Sequence, residues 1–398
     1  MSIASRTPHL RRSNLVLVLD QLRRRGPSTR SQLVAATGLT RSAIAGLVGE
    51  LEALQLVIEE PSLSGGRPGR PSPVVRVDGR SVAVLAVEIF VDEIGAAVVA
   101  LDGTIIEVVR VARPRTRVSV ADTVTDLRDL FQRLEGASAS VGRLLGCGVS
   151  VPGLVRDRDG VVVAAPNLGW VDVAVGDELI PLVGGLDVRV GNDADLGALA
   201  ESRFGAGVGS NHMIFVSGEV GVGGGLIIEG RPVSGHMGYA GEVGHMTVDP
   251  DGRRCRCGSI GCWETEVGEQ ALLARVGLDP DGGRAAVDAV LDRAAGGDDG
   301  ALDALSAHAR WLAIGIAGLV NVLDVDTVVL GGLFGRMLPF IRERLDAELA
   351  DRSYRAARRE VAVVGAALEE RAVLVGAAEL AFADLLADPA AVMGLAVA

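Results

Sequence analysis

The sequence predicts an α/β protein with a small winged helix-turn-helix head, and three observations carry that reading. Residues 1–80 hold twelve Arg against six Asp or Glu, whereas the remainder holds 27 Arg against 45 acids, so a basic head precedes an acidic body within a net charge of −12. Within the head, a short helix pattern, a Gly-containing turn, a longer helix pattern and two strand patterns follow one another. Beyond it, buried strand patterns feed helix patterns, with polar residues at strand ends where α/β sheets build clefts.

Composition narrows the class further. A chain of 398 residues suggests two or three units. A hydrophobic fraction of 48% with only 3% aromatics and 53 Gly points to an Ala/Val/Leu/Gly-rich folded protein rather than a disordered one. No apolar run reaches the ~20 residues of a spanning helix, and the opening MSIASRTPHLRR has no apolar segment after it. Three of the four Cys are clustered rather than paired at a distance, which makes the cytoplasm the expected compartment and a membrane location unexpected. The chain has no Lys, so Schiff-base and P-loop amine chemistry are excluded.

In the head, SNLVLVLDQLRRRG reads as a helix capped by Ser13 and stopped at Gly26-Pro27. Two further helices flank Thr37-Gly38-Leu39, the second turning Ile44, Val48, Leu51 and Leu54 to the core. Thr40, Arg41 and Ser42 start that helix, where recognition helices contact bases and phosphates. A three-helix bundle for dimerisation is the alternative. Val57–Glu60 and VVRV then read as strands around a loop containing Arg67-Pro68-Gly69-Arg70-Pro71, the pattern of a wing. Narrow minor grooves attract inserted Arg, which makes Arg67 and Arg70 DNA-contact candidates; a solvated linker is the other reading.

In the body, Val82–Val87, Ile94–Leu101 and Thr104–Ala112 read as neighbouring strands, followed by a helix near 120–134 and a strand ending at Pro152-Gly153. DVRVGNDAD delivers Asn192 and Asp193 to a strand end, where they serve either as a polar site or as a helix cap. Downstream come two strands around a Gly-rich bend, a long helix at 301–324, and further strand–helix units; the segment 279–300 reads as polar and peripheral.

The stretch 235–266 carries the sharpest motif. His245, Cys255, Cys257 and Cys262 supply one imidazole and three thiolates, a set that closes a tetrahedral zinc site. Four protein ligands leave no open position, so the zinc is expected to be structural. Glu242 and Glu264 flank the ligands and are held with them. Reduced, unligated Cys is the alternative.

With these motifs in place, the chain resembles the ROK family (repressors, open reading frames and sugar kinases), in particular its repressor branch. The resemblance rests on the GGRPGRP loop, VPGLV, APNLGW, GNDAD, GEVGVGGG, GYAGEVGH and CRCGSIGCWE, in that order. It implies a two-lobed actin-like (ribonuclease H-like) sugar-kinase fold behind the winged head, divided as 1–79, 80–190 with a C-terminal helix at 371–390 packing back on it, and 191–370. It further implies zinc on His245, Cys255, Cys257 and Cys262. Its implied sugar site comprises Gly153, Asn192, Asp193, Glu242, His245 and Glu264, with Asp193 at the catalytic-base position of the kinases. Asn167, Trp170 and His236 are expected to tune specificity.

The two phosphate loops of the kinases are altered. Where kinases have Asp-x-Gly-Gly-Thr, this chain has Glu88-Ile89-Phe90-Val91-Asp92, and where they have Gly-Thr-Gly-x-Gly it has Glu219-Val220-Gly221-Val222-Gly223. Both changes put bulk or negative charge where phosphate lies, and like charges at 4 Å repel by about 4 kcal/mol at an effective dielectric near 20. The expected function is therefore a repressor on a double-stranded DNA operator. It acts as a homodimer or tetramer, and its body senses a sugar or sugar-phosphate without phosphorylating it. An ATP-dependent sugar kinase with a DNA-binding head is the alternative, and a regulator controlled by a protein partner a third reading.

Overall fold

The computed structural model describes residues 6–61, 72–115, 118–357 and 360–394. The loop positions Arg67 and Arg70 lie outside the described residues. The N-terminal unit runs α1 (Arg6–Arg25), β1 (Ser28–Thr29), α2 (Arg30–Thr37), α3 (Arg41–Ala53), β2 (Val57–Glu60) and β3 (Val74–Val77), with the strands in the antiparallel order β1-β3-β2. Local chemistry explains the boundaries. Thr29 and Gln32 form a reciprocal capping box at the start of α2, Gly38 ends it in the left-handed region at φ 71°, and the Thr40 hydroxyl caps α3 by accepting the Ala43 N–H. Ile44, Val48, Leu51 and Leu54 are buried as their spacing predicts. Ser13 does not cap α1, because the helix begins upstream of it; its hydroxyl donates to the His9 carbonyl inside the helix.

The body continues with β4 (Val82–Ile89), β5 (Glu93–Ala100), β6 (Ile105–Ala112), α4 (Val120–Arg133), α5 (Glu135–Ala139) and β7 (Arg143–Val151). A small antiparallel sheet of β8 (Leu154–Val155), β9 (Val162–Ala165) and β10 (Trp170–Val173) precedes α6 (Val175–Leu179) and β11 (Val188–Asn192). The first large sheet has the order β11-β7-β4-β5-β6, its first three strands parallel. Next come α7 (Asp193–Phe204), β12 (Met213–Gly218), β13 (Val222–Ile228), β14 (Arg231–Pro232), α8 (Trp263–Val267), α9 (Glu269–Arg275), α10 (Gly283–Ala295) and α11 (Asp299–Leu323). The chain closes with β15 (Thr327–Gly331), α12 (Gly332–Arg352), α13 (Tyr354–Ala357), β16 (Ala362–Gly365), α14 (Ala372–Ala381), α15 (Ala383–Ala387) and α16 (Pro389–Met393). The second large sheet has the order β14-β13-β12-β15-β16.

Two helices form the seam between the sheets. α14 packs on β4, β7 and β11 of the first sheet, α7 packs on β12 and β13 of the second, and the two helices pack on each other. Their backbones touch at Gly376, where a Cβ would overlap the Leu196 carbonyl and lie 2.9 Å from its Cα. Only glycine permits that approach.

One expectation needs correction. The segment 279–300 is not a peripheral loop, since α10 buries Val287, Val290, Leu291 and Ala294 in the second core. Apolar residues at i, i+3, i+4 and i+7 carry that helix despite its Gly/Asp-rich flanks. Among the described residues one helix, α11, is long and apolar enough by length and composition to cross a membrane, although Asp303, His308 and Arg310 interrupt its apolar run. Its apolar face is spent on the core: Ala309, Leu312, Ala313, Ile316 and Val320 pack there, and Trp263 lies against Gly315.

Candidate functional site

Between the two large sheets lies a cleft of about 750 Å³. Gly153, Asn192, Asp193, Glu242, His245 and Glu264 all line it, together with Asn167. β11 ends at Asn192 and α7 begins at Asp193, so one strand–helix junction delivers both side chains. Asn192 is the helix cap as well: its Oδ1 accepts the N–H groups of Ala194 and Asp195 at 2.8 and 3.1 Å, and its Nδ2 donates to the Gly153 carbonyl at 2.9 Å. The two readings of this residue are compatible, because an amide with two N–H donors keeps one for a ligand. Gly153 has φ 121° and a Cβ there would lie 2.9 Å from Ala165 Cα, so backbone alone fits at this wall.

The acidic groups crowd one another. Burial pushes the Asp193 carboxyl up to about 6, with the Glu242 charge adding to the effect. Burial also raises Glu242, aided by Glu264. Asp195 was missed by sequence reasoning, yet burial and then the charges of Asp193, Glu242 and Asp157 push it up to about 8. A second aspartate two residues into a helix reads as an N-terminal dipole partner, and only the packing of Gly225 and Gly241 against this turn reveals its enclosure.

The metal candidates converge. The ligand atoms of His245, Cys255, Cys257 and Cys262 all lie within 4.8 Å of one another. Cys257 Sγ is 3.7 Å from Cys262 Sγ, and Cys255 Sγ is 3.8 Å from His245 Nδ1. Ligands at zinc distances of 2.0–2.3 Å define a tetrahedron with edges of about 3.3–3.8 Å, so the donor set and its spacing fit a zinc ion. The other imidazole nitrogen, Nε2, faces Glu242 Oε2 at 3.7 Å, and Glu264 Oε2 accepts the Val222 N–H at 3.0 Å. The knot is fastened from behind, because Trp263 directly follows Cys262, is fully buried, and donates from Nε1 to the Trp311 carbonyl.

Two of the expected specificity positions stand elsewhere. Trp170 is a core residue whose indole N–H donates to the Val118 carbonyl at 2.9 Å, and His236 is exposed and does not line the cleft. Asn167 remains, its Oδ1 accepting from Arg256, a residue of the cysteine loop.

At the far end of the cleft, the altered phosphate loops are committed to protein partners. Arg115 donates to Asp92 at 2.7 and 3.0 Å and to Glu269 at 2.6 and 3.2 Å, clasping the first loop to α9. Burial opposes the Arg115 charge, and these two carboxylates more than offset it, raising its pKa. Phe90, Val91 and Glu219 also line the cleft, and burial pushes Glu219 up to about 7 against the pull of Arg336 and Arg284. Glu88 is 1% exposed and holds Arg110 with one oxygen; burial pushes it up to about 6, and its Oε2 has no hydrogen-bond partner. Away from the cleft, Thr40, Arg41 and Ser42 are exposed at the N-terminus of α3.

The ROK family model matches residues 84–384, most of the chain. The chain belongs to the ROK family. A xylose repressor of Bacillus subtilis (strain 168) is 30% identical over 358 residues, covering 89% of this chain and 90% of that protein. The crystal structure of a ROK family transcriptional regulator, a homolog of the E. coli MLC protein, superposes with a TM-score of 0.77 over 97% of this chain and 99% of that one, at 23% identity. A ROK family glucokinase from Streptomyces griseus, solved with glucose and AMPPNP, superposes with a TM-score of 0.65 over 75% of this chain and 98% of that one, at 31% identity. The body therefore has the α/β sugar-kinase fold of ROK proteins.

Proposed function

We propose that this chain is a sugar-responsive transcriptional repressor whose head is residues 1–79 and whose lobes are residues 80–190, joined by the C-terminal helix, and 191–370. The observation that carries this is the extent of the likeness to a xylose repressor, which spans 89% of this chain, head and body together. On this reading α1–α3 and the β2–β3 hairpin form a winged helix-turn-helix, and Thr40, Arg41 and Ser42 meet the major groove. The exposed stripe of α3 continues through Ala45, Gly46 and Gly49, and a Cβ on either glycine would meet nothing. Glycine inside a helix costs about 1 kcal/mol, so an unpacked pair is well explained by close approach to DNA backbone. Arg67 and Arg70 reach the minor groove, and two heads of a homodimer address successive major grooves about 34 Å apart.

The cleft binds the sugar through Asn192 and the Gly153 backbone on one wall and Glu242, His245 and Glu264 on the other, with Asp193 accepting a hydroxyl. Hydroxyls left unpaired in such a site cost about 1–3 kcal/mol each, which gives the pocket its selectivity. His245, Cys255, Cys257 and Cys262 hold a structural zinc that fixes the second wall; when bound, the ion supplies a cross-link and no open coordination position. Asp92 clasped by Arg115, together with Glu219, opposes ATP phosphates, so the body senses rather than phosphorylates.

The test is fluorescence anisotropy on fragments of the DNA flanking the protein's own coding region, at about 0.1 M salt, with and without D-xylose or D-glucose. Sequence-preferring binding that one sugar changes is expected; no such preference would sink the reading. The kinase alternative draws on Asp193, whose carboxyl near 6 suits a general base. An ATP-coupled assay over a hexose and pentose panel, with Asp193→Asn as control, decides it: turnover abolished by the substitution establishes a kinase.

A further inference from the structure

We infer that Arg23 is the joint through which movement of one lobe against the other reaches the head, a reading that rests on the sugar-sensor function proposed above. Arg23 lies near the C-terminus of α1, in the head, yet its side chain is 1% exposed and buried in the body. Its guanidinium pairs with Glu379 of α14, itself 3% exposed, and its Nε donates to the Leu101 carbonyl at 2.6 Å. The same guanidinium lies over two aromatic rings, 5.4 Å from the centroid of Phe204 and 5.9 Å from that of Phe382. Phe204 is the last residue of α7, and Phe382 immediately follows α14.

The arrangement matters because α7 and α14 belong to different sheets. α7 packs chiefly on β12 and β13, and α14 on β4, β7 and β11, so their seam is where the two sheets meet. Both helices also begin at the cleft: Asp193 opens α7, and Ala372 and Val373 open α14. Arg23 thus grips the far ends of two helices whose near ends line the pocket. A guanidinium suits this task, since it forks onto a carboxylate while stacking on aromatic faces, which an ammonium does not do in one geometry.

The rest of α1 repeats the pattern on both sides of the seam. Asp20 pairs with Arg203 of α7, and Arg12 donates to Asp388 beyond α15 at 2.7 Å. Packed interfaces respond to small shifts by switching between discrete arrangements rather than deforming. Sugar that draws the two walls together displaces α7 relative to α14, and α1 cannot satisfy Glu379, Phe204 and Arg203 in both states without moving. α1 packs against α2 and α3, so the recognition helix follows.

The test uses the full chain carrying Arg23→Met together with Glu379→Met. Removing one charge alone leaves the other buried and unpaired, whereas replacing a buried pair with apolar groups is often neutral or stabilising, so the double variant should keep its fold. Hydrogen exchange is followed by mass spectrometry. Without sugar, amides of α1 should exchange at least fivefold faster in the double variant than in the parent, with α7 and α14 unchanged; equal rates in α1 overturn the joint. With D-xylose or D-glucose, the parent should change exchange both at the 235–266 loop and in α1, whereas the double variant should respond only in the loop. An α1 response as large as the parental one also overturns the proposal. If neither sugar alters exchange in the parental cleft, the sensor reading is what fails, and the sugar-free comparison still decides whether Arg23 joins head to body.

Discussion

Asp195→Asn offers a quantitative check on the crowded carboxylates of the cleft. Asp195 titrates near 8 in the folded chain, through burial and then the charges of Asp193, Glu242 and Asp157, against an ordinary value of 3.8. An acid whose folded pKa exceeds its unfolded value binds its proton more tightly in the native state, so stability falls as pH rises from the unfolded pKa to the folded one. Between pH 5 and pH 8 the whole interval lies inside that window. At 1.36 kcal/mol per unit, Asp195 removes about 4 kcal/mol across those three units, an upper limit because water in the cleft relaxes around the charge. Asparagine resembles the protonated acid in shape and never ionises. The variant should therefore gain more stability over the parent at pH 8 than at pH 5, by about 2–4 kcal/mol. Urea unfolding of both proteins at each pH reads this directly, and comparison at matched pH cancels the response of His245 and the three clustered cysteines. A gain that is the same at pH 5 and pH 8, or a loss at pH 8, would refute the reasoning.

Three further outcomes are expected. Cys257→Ser should abolish stoichiometric zinc, measured by elemental mass spectrometry, and with it the thermal shift on adding sugar; a sugar response that survives metal loss breaks the link between knot and pocket. Gly376→Ala should cost about 1–3 kcal/mol in denaturant unfolding, because its Cβ would overlap the Leu196 carbonyl at the helix seam. His308 is buried and held neutral, with its pKa lowered to about 3 by burial and by Arg275, so its contribution is present above pH 6.5 and is lost as pH falls toward 3. From pH 6.5 to pH 5 that amounts to about 2 kcal/mol, and His308→Gln should flatten this part of the acid limb of the stability profile.

Features whose partners are close in sequence were the legible ones. The four metal candidates span eighteen residues, and the strand-to-helix junction at Asn192-Asp193 is contiguous, so spacing alone located both. The altered phosphate loops were readable because each is a local run. Tertiary partners were not. Nothing around Arg115 announces that it meets Glu269, 154 positions away, or that Arg23 meets Glu379, 356 positions away. Trp170 and a sugar-stacking tryptophan look alike in sequence; the Val118 carbonyl that fixes its indole is 52 residues distant. The helix at 283–295 was hidden by flanks whose turn residues outweighed a short apolar period.

The burial of Trp263 beside Cys262 has an optical consequence. The chain has three tryptophans, at 170, 263 and 311, and none lies in the first 80 residues. Trp170 belongs to the core of the first lobe, while Trp263, next to Cys262, and Trp311 share a hydrogen bond in the second. Intrinsic fluorescence of this protein therefore reports on the body and is silent about the head. Emission that changes on chelation reads the His245–Cys262 cluster through Trp263, with Trp170 as an internal standard in the core of the first lobe.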